Sequence, residues 1–238
     1  MIAGKRVALV VPTFNEADAI GAALAKAPRD IVDRLIVVDG GSRDATVERA
    51  RAAGAEVVTV GRGYGRACWE GATLAAKDSD IIAFMDGDGA DRVEAIADLV
   101  GPIARDEQDF VIGSRTRGAR ERGSMGAHQI MAGQVAGWLI ALSTGVAYSD
   151  MGAFRAIRRD AMLSLGMREM TFGWNIEMQV RAARSGLRVL EIPVSYGVRL
   201  GGQSKVAGSI KGTLKATFSI GSTLVRVLRE PARPSSLS

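Results

Sequence analysis

Two aspartates one residue apart, Asp86 and Asp88, follow the apolar run Ile81 to Met85. Carboxylates at that spacing, where a buried strand emerges, can hold a hard divalent cation such as Mg2+ or Mn2+ against a diphosphate. Asp86, Gly87, Asp88 and Gly89 also have the composition of an ordinary polar turn, and the short motif alone does not separate the two readings. A second candidate is the run Gly61 to Gly65, whose glycines at 61, 63 and 65 with Arg62 and Arg66 could meet phosphate. Loop glycines have many structural causes, however, and a plain flexible loop is the preferred account. Cations gather in two places: Arg115, Arg117, Arg120 and Arg122, and the stretch from Arg199 onward, where Lys205, Lys211, Lys215, Arg226, Arg229 and Arg233 face only Glu230.

These groups need elements to position them. Short β-branched runs alternate with helical patterns: Arg6 to Val11 then Ala17 to Ala27, Leu35 to Val38 then Ala45 to Ala53, Val57 to Val60 then Ala67 to Lys77, Ile81 to Met85 then Val93 to Val100, and Phe110 to Ile112. The alternation predicts an α/β fold with a largely parallel sheet and helices on both faces. Ligands in such sheets bind beyond the carboxyl ends of the strands. Pro12 to Glu16, Asp39 to Ser42, Gly61 to Gly65, Asp86 to Asp88 and Gly113 to Arg115 would then line one crevice. The first of these turns has no glycine, so the dinucleotide fingerprint is absent, as is the P-loop pattern.

At 238 residues the chain suits one large domain, expected over residues 1–230 with a frayed tail at 231–238. The single Cys68 excludes an intramolecular disulfide and the single His128 excludes a Cys/His metal cluster, so any metal must use oxygen ligands. His128 lies in the apolar helical stretch Met125 to Val146 and is read as structural or interfacial. The start of the chain carries no export signal by pattern, and a cytoplasmic location is expected. A net charge of +5 admits nucleic acid, a membrane surface or a phosphorylated substrate. With three tyrosines and no recognisable nucleic-acid module, nucleic acid is not expected.

The segments VVPTFNEADAI, VDGGSRDAT, FMDGDGAD, VIGSR, DMGAFRAIRRDA and EIPVSYGVRLGGQSK stand in an order that resembles a family 2 glycosyltransferase of GT-A fold. More narrowly, the set is similar to the dolichyl- or polyprenyl-phosphate sugar synthase branch. The resemblance implies that Pro12, Phe14, Glu16 and Asp39 meet the nucleotide of a nucleotide-sugar donor of the UDP-glucose or GDP-mannose type. It implies that Asp86 and Asp88, with Gly87 between them, hold Mg2+ or Mn2+ on the donor diphosphate. It directs Arg115, Arg199, Ser204 and Lys205 to phosphate and places Asp150 near the acceptor, with Glu177 a weaker candidate there. Two positions depart from the pattern: Gly40 stands where a second acid is common and Ala90 where Gln is common. Asp91 either compensates for Ala90 or caps a helix.

The implied reaction is transfer of a hexose to a polyprenyl or dolichyl phosphate, whose oxygen is already anionic and needs no protein base. Two alternatives stay open: a soluble or protein-bound hydroxyl acceptor, with Asp150 or Glu177 as base, and a noncatalytic nucleotide-sugar-binding protein. A nucleotidylyltransferase is disfavoured, because its Gly-rich basic loop would follow the first strand, where this chain has Pro12 to Glu16. From about residue 206 to 230, Ile210, Leu214, Phe218, Val225 and Leu228 recur near helical spacing beside Lys211, Lys215, Arg226 and Arg229. That is the pattern of a basic helix lying on a membrane surface, with core packing or contact with a second copy of the chain as the competing accounts.

Overall fold

A computed structural model describes residues 1–201 and 210–230, with backbone only at 210–216. The described elements are β1 (Val7–Thr13), α1 (Ala17–Ala25), β2 (Val32–Asp39), α2 (Thr46–Ala52), β3 (Glu56–Thr59), α3 (Tyr64–Ala75), β4 (Ile81–Phe84), α4 (Ile96–Ala104), β5 (Phe110–Ser114), α5 (Ala127–Thr144), β6 (Arg155–Arg158), α6 (Arg159–Ser164), α7 (Trp174–Arg184), β7 (Val189–Pro193) and α8 (Ile210–Arg229). Seven strands form one sheet in the order β3-β2-β1-β4-β6-β5-β7. Every pairing is parallel except those of β6, which runs antiparallel to both β4 and β5. The parallel α/β reading of the sequence is therefore correct. It located the first five strands but neither β6 nor β7.

Central strands covered on both faces read as continuous apolar runs. In β1 the side chains alternate between two cores: Ala8 and Val10 join one layer, and Val7, Leu9 and Val11 the other. β2 repeats the pattern with Ile36 and Val38 against Leu35 and Val37, and β4 with Ile82 and Phe84 against Ile81 and Ala83. Residues of α3, α5, α7 and α8 fill the first layer, and residues of α1, α2 and α4 the second.

The expected helix of residues 206–230 appears as α8 from Ile210, and residues 202–209, with Ser204 and Lys205, lie outside the described residues. Its buried face differs from the stripe expected from the spacing. Leu224 and Val227 are buried at 6% and 1% exposure, whereas Phe218 and Val225 stand out at 77% and 48%. Core packing thus claims one side of α8 and leaves a second apolar side in solvent.

The reversed direction of β6 matters for the site. The carboxyl ends of β1, β2, β4 and β5 meet at one edge, and β6 begins at that edge, with Arg155 opposite Phe84 and Ile112. The segment Asp150 to Phe154 that leads into β6 is thereby delivered to the crevice, and Gly113 N–H donates to Phe154 O at 2.9 Å.

Helix α3 approaches the sheet closely at Gly71. A Cβ there would overlap Val10 Cγ1 and lie 2.9 Å from Val38 Cγ2. Gly71→Ala is expected to lower stability by about 1–3 kcal/mol through overpacking, outweighing the better helix propensity of alanine. Urea unfolding would measure it, and an alanine variant as stable as the parent would contradict the packing described.

Candidate functional site

Strand β4 ends against β1, with Met85 N–H donating to Val10 O at 3.2 Å, and the chain then turns sharply through Asp86 to Asp91. The turn is held by its own carboxylates. Asp91 Oδ2 accepts from Asp86 N–H at 3.1 Å, and Asp88 Oδ1 accepts from Ala90 N–H at 3.0 Å. Asp91 therefore closes the turn and caps no helix, since the following short helical turn begins at Val93 behind Arg92.

Glu16 and Arg199 complete this half. The Arg199 guanidinium lies 3.1 Å from Glu16 Oε1 and 3.4 Å from Asp88 Oδ2, and Leu200 N–H donates to Asp88 O at 2.9 Å. Residues 196–201 thus cross the turn as a strap, with Gly197 N–H bonded to Ala90 O at 2.9 Å.

Burial and the neighbouring Asp88 push the Asp86 carboxyl up to about 6, and burial with Asp86 and Asp88 pushes Asp91 up to about 8. Burial is the larger cause of both shifts, and the crowding of acidic side chains adds to it. That crowding, with an all-oxygen donor set, suits a hard divalent cation. Among the described residues no three His, Cys, Asp or Glu side chains form a closed metal cluster. Asp86 and Asp88 can supply two ligands, with diphosphate and water completing the shell, as Mg2+ commonly requires.

The residues expected on the nucleotide side reach the same edge in different states. Pro12 is buried within β1 opposite Val38, and Phe14 lies beneath Arg62, whose guanidinium carbon is 4.5 Å from the ring centre. Asp39, 1% exposed, accepts from Gly41 N–H and Ser42 N–H at 2.9 Å and from the Ser42 hydroxyl. Its carboxylate shapes its own loop. Gly87 packs against Thr13 and Ile20, and the buried Thr13 hydroxyl has no hydrogen-bond partner among the described residues.

On the other side of the crevice, Arg115 and Asp150 meet as a fork: Nε to Oδ2 at 2.7 Å and Nη2 to Oδ1 at 2.8 Å, with Arg115 N–H to Oδ2 at 2.9 Å. Burial opposes ionisation of Asp150, but the Arg115 contacts outweigh it and hold the carboxyl below its ordinary range. Tyr196 lies under the Arg115 guanidinium at 5.0 Å. Asp150 is fixed from behind: Gln179 Nε2 donates to its carbonyl at 2.9 Å, and its N–H donates to Glu191 Oε1 at 3.2 Å. Two of the guanidinium nitrogens of Arg115 are committed, and Nη1 has no partner among the described residues.

Glu177 is fully buried, accepting from Arg168 N–H and Glu169 N–H and pairing with Arg181 and Arg226. His128 is exposed at the start of α5. Arg158 pairs with Asp106, Asp109 and Asp160. Sequence reasoning missed Tyr64, whose hydroxyl donates to Asp86 Oδ1 at 3.1 Å, together with Tyr196 and Glu191. The signal for Tyr64 was its place inside the glycine loop, which was read as a plain connection.

Asp91 carries a pH effect of definite sign. Its folded-state pKa of about 8 lies above the unfolded value of roughly 4, so the folded state binds the extra proton between them. The contribution to stability is complete below the unfolded value and is lost as pH rises through about 8. Asp91→Asn keeps an acceptor for Asp86 N–H and removes this titration. Its melting temperature, measured by calorimetry without divalent metal, is expected to exceed the parent's at pH 8 and to converge with it toward pH 4. A constant difference across that range would contradict the assignment.

Comparison with known proteins agrees with this geometry. The family described as glycosyl transferase family 2 matches residues 8–166. An uncharacterized glycosyltransferase of Mycobacterium tuberculosis is 36% identical over 220 residues, covering 90% of this chain and 96% of that one. A dolichyl-phosphate hexose transferase of Haloferax volcanii is 32% identical over 229 residues, 94% of each chain. Among solved structures, glucosyl-3-phosphoglycerate synthase from Mycobacterium tuberculosis, in complex with Mn2+, UDP and phosphoglyceric acid, superposes with a TM-score of 0.73. It is 25% identical, over 96% of this chain and 80% of that one. The sheet order, the carboxylate-bearing turn and these matches lead to one conclusion: the chain belongs to glycosyl transferase family 2 and is a glycosyltransferase of GT-A fold.

Proposed function

We propose that the enzyme moves one hexose from a nucleoside-diphosphate sugar to the phosphate of a polyprenyl or dolichyl phosphate, with inversion at the anomeric carbon. The observation that carries this reading is the state of the acceptor-side acids. Asp150 is locked onto Arg115 with its carboxyl held low, and Glu177 is buried in ion pairs, so neither is placed to take a proton from a hydroxyl. An acceptor that arrives ionised needs no such group. The similarity to the dolichyl-phosphate hexose transferase supports the same class of acceptor.

In this reading Asp86 and Asp88 would hold Mg2+ or Mn2+, which when bound neutralises charge on the leaving diphosphate. Phe14 and Glu16 bound the nucleotide side of the crevice, with Pro12 as its buried floor and Asp39 shaping the adjoining loop. Arg199 is poised between Glu16 and Asp88 to meet diphosphate, and Ser204 and Lys205 are assigned there by resemblance alone. Arg115, oriented by Asp150 and Tyr196, offers Nη1 to the acceptor phosphate. A phosphate oxygen then attacks the anomeric carbon as its bond to the nucleoside diphosphate breaks, and no net proton moves.

The same reading places residues 1–230 in one catalytic unit lying on the cytoplasmic face of a membrane. Met131, Val135, Trp138 and Leu142 form one ridge of α5, each at least half exposed, and α5 carries no Asp, Glu, Lys or Arg. Its opposite face packs Gly133 and Gly137 against Asp150 and Tyr148, directly behind the acceptor site. Exposed Arg117, Arg120 and Arg122 precede the helix. Among the described residues no helix is long and apolar enough to cross a membrane. An apolar ridge with a flanking basic loop instead suits the interface.

Nucleoside diphosphate release from UDP- and GDP-sugars, with Mg2+ or Mn2+ and with or without a short polyprenyl phosphate, tests the reaction. Stimulation by the lipid phosphate is expected, with a loss of at least about a hundredfold in Asp88→Ala and Arg115→Ala. Stimulation by phosphoglyceric acid in place of the lipid would move the acceptor to the soluble class. For the surface, Trp138→Glu combined with Leu142→Glu is expected to abolish sedimentation with anionic vesicles. Undiminished sedimentation would discard the α5 ridge, and dimer dissociation in the variant would assign it to a second copy of the chain.

A further inference from the structure

Tyr64 faces the metal-binding turn and has no part in the reaction just described. Its hydroxyl donates to Asp86 Oδ1 at 3.1 Å, and the Asn175 side chain at the start of α7 is near enough to favour its ionised form. The ring packs against the core that contains Phe84 and Trp174.

Its backbone is tightly constrained. Gly63 has φ of 141°, and a Cβ there would lie 2.6 Å from Met170 O. A Cβ at Gly65 would overlap Glu169 O. These absent side chains let α3 begin flush against residues 168–173, with Gly65 N–H bonded to Thr171 O at 3.1 Å and Arg66 N–H to Met170 O at 3.0 Å. That segment is pinned in turn by Glu177, by the Thr223 hydroxyl donating to Glu169 at 2.9 Å, and by the Thr171 and Ser219 hydroxyls 3.0 Å apart. The direction of the Tyr64 hydroxyl is therefore set by α3, α7 and α8 together.

We infer that Tyr64 is a positioning residue for the divalent cation, fixing the Asp86 carboxylate through Oδ1 so that its other oxygen is left for the ion. The inference rests on the reading of Asp86 and Asp88 as the metal-bearing pair. The physical need for it is local. Asp88 repels Asp86, and a free aspartate rotor would turn away from it. A neutral donor on one oxygen restrains that rotation without adding a cation that would compete with the metal. Hydrogen-bond partners of metal ligands typically matter by about 10- to 100-fold in affinity.

The test is binding of Mn2+ in the presence of UDP, followed by the electron paramagnetic resonance signal of the free ion, for the parent, Tyr64→Phe, Asn175→Ala and Asp88→Ala. Tyr64→Phe keeps the ring in the core and is expected to weaken Mn2+ binding about tenfold. The Mn2+ concentration for half-maximal turnover should rise in parallel, with kcat recovered at saturating metal. Asn175→Ala should shift affinity in the same direction by less, and it serves as the test should the phenylalanine variant fail to fold. Parent-like or tighter Mn2+ binding in Tyr64→Phe would overturn the inference, as would a fall in kcat that saturating metal does not restore. Asp88→Ala separates the two levels of the claim. If it retains parent-like Mn2+ binding, the metal-site reading itself fails. If it loses the ion while Tyr64→Phe does not, only the role of Tyr64 is withdrawn.

Discussion

Three carboxyl groups crowd the end of one buried strand, and the structure around the site is organised to hold them together. Asp86, Asp88 and Asp91 lie within a six-residue turn, with Glu16 brought close through Arg199. Backbone N–H groups of Asp86 and Ala90, the Tyr64 hydroxyl and the Arg199 guanidinium each satisfy part of that cluster. These partners come from the turn itself, from α3 and from the strap that follows β7. A sheet in which β4 is flanked by β1 and β6 lets all of them converge on one edge.

The Arg115–Asp150 pair solves a different problem. An enclosed ion pair adds little net stability, because desolvation offsets most of its Coulomb attraction. Its value here is orientation. Asp150 is tied to α7 through Gln179 and to β7 through Glu191, so the guanidinium it grips is fixed relative to both elements at once. A cation so held can meet a second anion without first paying to become ordered.

Strands β1, β2, β4 and β5 were legible in the sequence because each is buried on both faces over most of its length and so appears as an apolar run. Asp86 and Asp88 were legible because a strand end followed by acids is a local pattern. Strand β6 was not: it has four residues, two of them Arg155 and Arg158, and its apolar content is only Ala156 and Ile157. The fork between Arg115 and Asp150 joins positions 35 apart and exists only once β5 and the approach to β6 lie side by side. Helix α8 shows a different limit. Its spacing marks an amphipathic helix, but Leu224, Val227, Phe218 and Val225 are all apolar, and only packing decides which pair meets the core. Tyr64 was hidden because its partner Asp86 is reached across the sheet edge from another loop.

The position of β6 also dictates an order of assembly during synthesis. Strands β1 to β4 are neighbours in the sheet in nearly the order in which they leave the ribosome, so residues up to Phe84 can close four strands without waiting. β5 cannot join them, because its place is separated from β4 by a strand that begins only at Arg155. Until that point β4 presents an open edge and β5 has no partner in the sheet, both exposed to pairing with another chain. The insertion of one short antiparallel strand therefore closes the nascent sheet, and it is the same event that carries Asp150 to Arg115.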